Sequence, residues 1–95
     1  TTDEIPDPTR LMLRTRLNGQ QVQHTQTDDL IFDIPEILRY LSVLLPLNPG
    51  DIIATGTPEG VGFARTPPLW LKPGDRVEVE ISGIGVLRNQ VIAEA

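Results

Sequence analysis

The chain has 95 residues, a formal charge of −5 and no cysteine, and its aromatics are one Trp, one Tyr and two Phe. That length makes one small domain, which buries only about two-thirds of the surface its unfolded form exposes. The acidic balance argues against a nucleic-acid partner, the missing thiols exclude a disulfide scaffold or a thiolate metal site, and no apolar run nears the roughly 20 residues of a membrane span.

Thr1 to Thr9 carries Pro6 and Pro8 among acidic residues and reads as an extended entry segment. It has no initiator Met, so a longer polypeptide is expected upstream. From Leu11 to Leu17 the pattern alternates, with Leu11, Leu13, Thr15 and Leu17 on one face and Met12, Arg14 and Arg16 on the other. Asn18-Gly19 follows, and both residues tolerate the positive φ of a type I′ hairpin turn. A regular two-residue loop pairs Leu17 with Gln20, Thr15 with Val22 and Leu13 with His24.

Thr25 to Asp29 reads as a polar turn. Asp33-Ile34-Pro35-Glu36 then looks like a helix start, with Asp33 as N-cap and Glu36 completing a capping box. Ile34, Ile37, Leu38, Leu41, Leu44 and Leu45 recur at helical spacing as a stripe to be buried. Glu36, Arg39 and Ser42 fall on the wet side. Pro46 and Pro49 end the helix.

Two Pro-Gly turns come next, in Leu47-Asn48-Pro49-Gly50-Asp51 and Leu71-Lys72-Pro73-Gly74-Asp75. Pro then Gly suits the central positions of a type II turn. Each turn is expected to lead into a strand, Ile52 to Thr55 and Arg76 to Ser82. Gly83 and Gly85 permit a reversal into a last strand over residues 86–93. Between the turns, Phe63 to Leu71 is a long irregular excursion, of the kind that is often functional or covers something. The sum is an α+β fold in which β dominates, with one main helix and about five strands.

Chemistry concentrates in residues 51–62, Asp-Ile-Ile-Ala-Thr-Gly-Thr-Pro-Glu-Gly-Val-Gly. A short apolar run ends in a loop of glycines and hydroxyls, which reads as a strand delivering a loop to a site. At Thr55, Gly56 and Thr57, backbone N–H groups beside glycine and a threonine hydroxyl suit a carboxylate or a developing enolate oxygen. Pro58 biases Thr57 towards an extended conformation. The plainer reading is a strand-to-loop corner whose glycines only turn the chain. No P-loop signature is present.

His24, the only histidine, could serve as a base oriented by Asp28 or Asp29. The regular hairpin instead makes it a hydrogen-bonded residue at the core edge. Asp28, Asp29 and Asp33 could suggest a metal, but turn formation and helix capping account for them. Arg65 and Lys72 read as surface cations.

Taken together, Leu17-Asn18-Gly19, residues 27–35 (TDDLIFDIP), residues 47–62, Leu71 to Asp75 and residues 83–89 (GIGVLRN) resemble the fumarylacetoacetate hydrolase family, in order and at family-like spacing over nearly the whole chain. The resemblance implies a mixed β-roll, the C-terminal part of the catalytic domain of an enzyme that is usually homodimeric; the absence of cysteine fits a cytoplasmic location. Such enzymes act on small keto acids by acylpyruvate hydrolysis, oxaloacetate decarboxylation or isomerisation of ring-cleavage products. It also implies a divalent cation, Mg²⁺, Mn²⁺ or Ca²⁺, as Lewis acid. Thr57 matches a threonine that contacts substrate, and Gly56 its flanking glycine.

The family's metal carboxylates, its lysine and its His–Glu pair have no counterpart here, so no catalytic residue and no metal ligand is assigned in this chain. The expected partners are a small keto acid, the rest of the catalytic domain and a second subunit. The alternative is a scaffold and dimer-interface module whose chemistry lies wholly upstream. A free-standing, non-enzymatic β-module is the third reading.

Overall fold

Asn18 (φ +51°) and Gly19 (φ +84°) both take the positive φ that a type I′ reversal requires, and the sheet grows from that turn. In the computed structural model, which describes residues 1–94, the turn joins β1 (Met12–Leu17) to β2 (Gln20–Gln26). A second hairpin pairs β3 (Arg76–Ile81) with β4 (Gly85–Gln90). The two hairpins merge through β1 and β3 into a four-stranded sheet in the order β2-β1-β3-β4, antiparallel at every step.

The register of the first hairpin departs from a regular ladder. Leu17 faces Gln20 and Arg16 faces Gln21, as the two-residue turn dictates. Beyond that point a bulge leaves Val22 unpaired, and Thr15 faces Gln23, Arg14 faces His24 and Leu13 faces Thr25. A bulge re-aims the side chains that follow it, since one extra residue exchanges the two faces. Gln23 and Thr25 therefore join Leu13, Thr15 and Leu17. His24 moves to the charged side beside Arg14 and is exposed, which corrects its expected place at the core edge.

The sheet separates its faces cleanly. Leu13, Thr15 and Leu17 oppose Ile81, Val79 and Val77, while Arg14 and Arg16 oppose Glu80 and Glu78. Arg16 Nη2 donates to Glu80 Oε2 at 2.5 Å and Arg88 Nε to Glu78 Oε1 at 2.8 Å. Among the described residues only Leu17 and Glu78 are buried.

The one α-helix among the described residues, α1 (Ile34–Leu44), starts where the sequence places it. Asp33 Oδ1 accepts from Glu36 N at 2.8 Å, which satisfies one of the helix's free N–H groups. The apolar stripe is not covered, however. Ile37 and Leu41 are half-buried, whereas Ile34, Leu38, Leu44 and Leu45 are exposed. A helix stripe is buried only when another layer packs on it, and no described element covers this one.

Both Pro-Gly turns form, with Gly50 at φ +97° and Gly74 at φ +96°. Asp51 N donates to Asn48 O at 3.1 Å and Asp75 N to Lys72 O at 3.0 Å, the closing bonds of type II turns. Each aspartate also reaches back, Asp51 Oδ2 accepting from Asn48 N and Asp75 Oδ2 from Lys72 N, both at 2.8 Å. The second turn leads into β3. Ile52 to Thr55 forms no strand, because no described strand lies beside it to complete a ladder. The sheet thus has four strands rather than five.

Candidate functional site

The corner at residues 55–58 stands against the apolar face of the first hairpin and walls one side of a cleft of about 520 Å³. Leu13 and Thr25 of the sheet, Asp29 of the turn after β2, and Ile34 and Ile37 of α1 contribute its other walls. Thr55, Gly56 and Thr57 all line it, so the sequence-derived candidates come together in one concavity. Gly56 adopts φ +116°, a conformation that strains any residue with a Cβ, and open space lies where its Cβ would stand. A ligand can approach the backbone there.

Thr57 is held by a residue the sequence did not single out. The Gln23 side-chain amide nitrogen lies 3.2 Å from Thr57 Oγ1, 3.0 Å from Pro58 O and 3.4 Å from Glu59 O. Arg65 supplies a second brace. Its Nε donates to Gly60 O at 2.9 Å, and its Nη2 contacts the carbonyl of Val22, the bulge residue. At Gly60 an added Cβ would strike Val22 O, and at Gly62 it would strike Leu69 O. These two glycines permit close approach of the loop to β2 and to residue 69. The bulge signal was absent from the sequence, and without it Gln23 falls on the opposite face of the sheet.

Among the acids, Asp29 Oδ2 accepts from Thr25 Oγ1 at 2.6 Å at the rim of the cleft. Asp33 caps α1, and Asp51 and Asp75 close their own turns. No group of three or more His, Cys, Asp or Glu among the described residues could hold a metal ion. The described carboxylates therefore do not by themselves fit a divalent-cation site. No described helix is long and apolar enough to cross a membrane.

A family model described as fumarylacetoacetate (FAA) hydrolase C-terminal matches residues 1–92. The chain belongs to the fumarylacetoacetate hydrolase family. The oxaloacetate tautomerase YisK of Bacillus subtilis (strain 168) is 48% identical over 87 residues, which cover 92% of this chain and 29% of that protein. The solved fumarylacetoacetate hydrolase from psychrophilic Exiguobacterium antarcticum superposes with a TM-score of 0.90 at 44% identity, over 99% of this chain and 34% of its own. Maleylpyruvate hydrolase from Sphingobium sp. SYK-6, solved in complex with manganese(II) ion and pyruvate, gives 0.82 at 39% identity, over 97% of this chain and 32% of its own.

The chain thus spans about 30% of the length of the curated relatives it matches. Its α+β architecture, a small antiparallel sheet with one main helix, is that of the family's C-terminal domain. These relatives act on keto acids as family hydrolases and tautomerases.

Proposed function

We propose that this chain supplies the substrate-contacting wall of a divalent-cation-dependent enzyme acting on small 2-oxo acids. The reactions in view are hydrolysis of an acylpyruvate-type C–C bond, decarboxylation and isomerisation. All develop negative charge on an enolate oxygen, which preorganised hydrogen-bond donors stabilise. Thr57 provides such a group and Gly56 keeps the approach to it clear. Carboxylates outside this chain would hold the ion, Mg²⁺, Mn²⁺ or Ca²⁺, which would supply Lewis acidity when bound; on this reading the enzyme is a homodimer.

The observation that carries this reading is the convergence of Thr55, Gly56 and Thr57 on the cleft beside α1 and the bulged hairpin. The relative that binds manganese(II) and pyruvate supports the ligand class. Its test is Thr57→Val in the full-length enzyme, with turnover of oxaloacetate and an acylpyruvate measured. A loss of about 1–3 kcal/mol in kcat/KM is expected, the range for a hydrogen bond to a charged group. Unchanged kinetics would remove Thr57 from the site.

A second reading rests on the exposure of Ile31, Val43, Ile52 and Trp70. So much uncovered apolar side chain marks surface made for another layer of protein, as in a scaffold or dimer-interface module with its chemistry elsewhere. A ligand-bound crystal of the full-length enzyme separates the two, because a pure scaffold leaves Gly56 and Thr57 distant from the ligand.

A further inference from the structure

We propose that Gln23 is a positioning residue that fixes the polarity of the Thr57 hydroxyl, so that this corner recognises a hydrogen-bond acceptor such as a carboxylate or enolate oxygen. The inference rests on the reading of Thr57 as a substrate contact and adds which side chain prepares it and what chemistry it selects.

A hydroxyl can donate once and accept twice, so its partners decide which it offers to a ligand. The amide of Gln23 has two ends that could face Thr57, and its surroundings choose between them. Pro58 O at 3.0 Å and Glu59 O at 3.4 Å are carbonyl oxygens, which only accept. The NH₂ end must point at them. The two N–H groups of that end are shared among three oxygens, and Thr57 Oγ1, at 3.2 Å from the same nitrogen, can only be an acceptor in that contact. Its own proton stays uncommitted, and Thr57 lines the cleft. An oxygen acceptor satisfies that proton, whereas a ligand N–H or O–H pointing at it would meet another donor.

The bulge at Val22 makes this geometry possible. A regular ladder would put Gln23 on the charged face with Arg14 and Arg16. The observed register sets it opposite Thr15, on the face that looks towards the corner. Gly60 completes the arrangement, since a Cβ there would lie 3.4 Å from Gln23 Cγ and against Val22 O. The loop closes onto the Val22 carbonyl with no room for a side chain at residue 60.

The experiment is a double-mutant cycle on the full-length enzyme, with oxalate binding in the presence of Mn²⁺ measured by calorimetry. Oxalate offers only acceptor oxygens and mimics a pyruvate enolate. Thr57→Val is expected to weaken binding about tenfold, near the low end for a hydrogen bond to a charged group, and Gln23→Met about fivefold, within the range of an ordinary hydrogen bond. The double variant should bind no more weakly than Thr57→Val alone, because the glutamine acts through the hydroxyl. Gln23→Glu should weaken binding at neutral pH at least as much as Gln23→Met, since a carboxylate takes the hydroxyl proton for itself. It also serves if Gln23→Met fails to fold.

Equal losses from Gln23→Met in both backgrounds would mean a merely structural role and overturn the inference. So would normal binding in Gln23→Met and Gln23→Glu beside a weakened Thr57→Val. Normal binding in Thr57→Val would instead overturn the reading of the site itself, and the inference with it.

Discussion

Arg88 Nε donates to Glu78 Oε1 at 2.8 Å across the second hairpin, and it does so at the one charged residue of the sheet that is only 8% exposed. The hydrogen bond from Arg88 is the main influence holding the Glu78 carboxyl below its ordinary range. Burial opposes it, and the Arg76, Arg88 and Arg16 charges assist. A carboxyl depressed by folding stabilises the native state above its unfolded value, here 4.5, and that stability is lost as pH falls through the lower folded value. Melting curves of the full-length protein taken from neutral to acid pH should therefore fall below about pH 4.5 more steeply than those of a Glu78→Gln variant, which should start lower. Parallel curves would remove Glu78 from the acid response.

Gly60→Ala should be poorly tolerated. It would place a methyl group against the Val22 carbonyl at a backbone φ of +95°, and such strain costs on the order of 1–3 kcal/mol. The expected result is a lower Tm together with weakened oxalate binding, because the same loop carries Thr57. Gly50→Ala makes the control: it is strained to a similar degree at φ +97° but meets nothing within 4 Å. Equal loss of ligand binding in both variants would show that close packing at Gly60 is unimportant.

Arg65→Lys should loosen the same corner. The guanidinium bonds Gly60 O through Nε and Val22 O through Nη2, a two-pronged contact that a single ammonium cannot reproduce. A cost of about 1–2 kcal/mol in stability is expected, with hydrogen exchange at residues 57–62 rising more than in β3. Uniform exchange across the chain would contradict a local brace.

The isolated 95-residue chain should neither bind Mn²⁺ at micromolar concentration nor remain monomeric. Its described residues hold no three-ligand cluster, and its exposed side chains include Ile31, Phe32, Val43, Ile52 and Trp70. Calorimetry and light scattering check the two halves of this prediction. A strong Mn²⁺ isotherm would require a carboxylate set that the described structure lacks.

Local chemistry made most of the framework legible. Asn18-Gly19, Asp33 and the two Pro-Gly pairs each impose a backbone conformation by themselves, and all four appear where the residues indicate. The Thr55-Gly56-Thr57 corner was visible because glycine and hydroxyl chemistry is local too. What escaped depends on distant contacts. The bulge at Val22 is settled where residues 58–65 lie across β2, and the sequence of the hairpin does not announce it. The expected strand at Ile52 and the buried helix stripe failed for the opposite reason. Their apolar patterns assume partners that the described residues do not provide.

Among the described residues, each outer strand in the order β2-β1-β3-β4 keeps one side without a neighbouring strand. Such a rim is a row of amide and carbonyl groups ready to accept whichever extended segment arrives first. During synthesis that contest is one of proximity: polypeptide tethered nearby reaches the rim at a far higher effective concentration than a neighbouring nascent copy. Separated from such tethered polypeptide, the two rims would be open to duplicates of themselves, and ladder extension would add to association through the exposed apolar side chains.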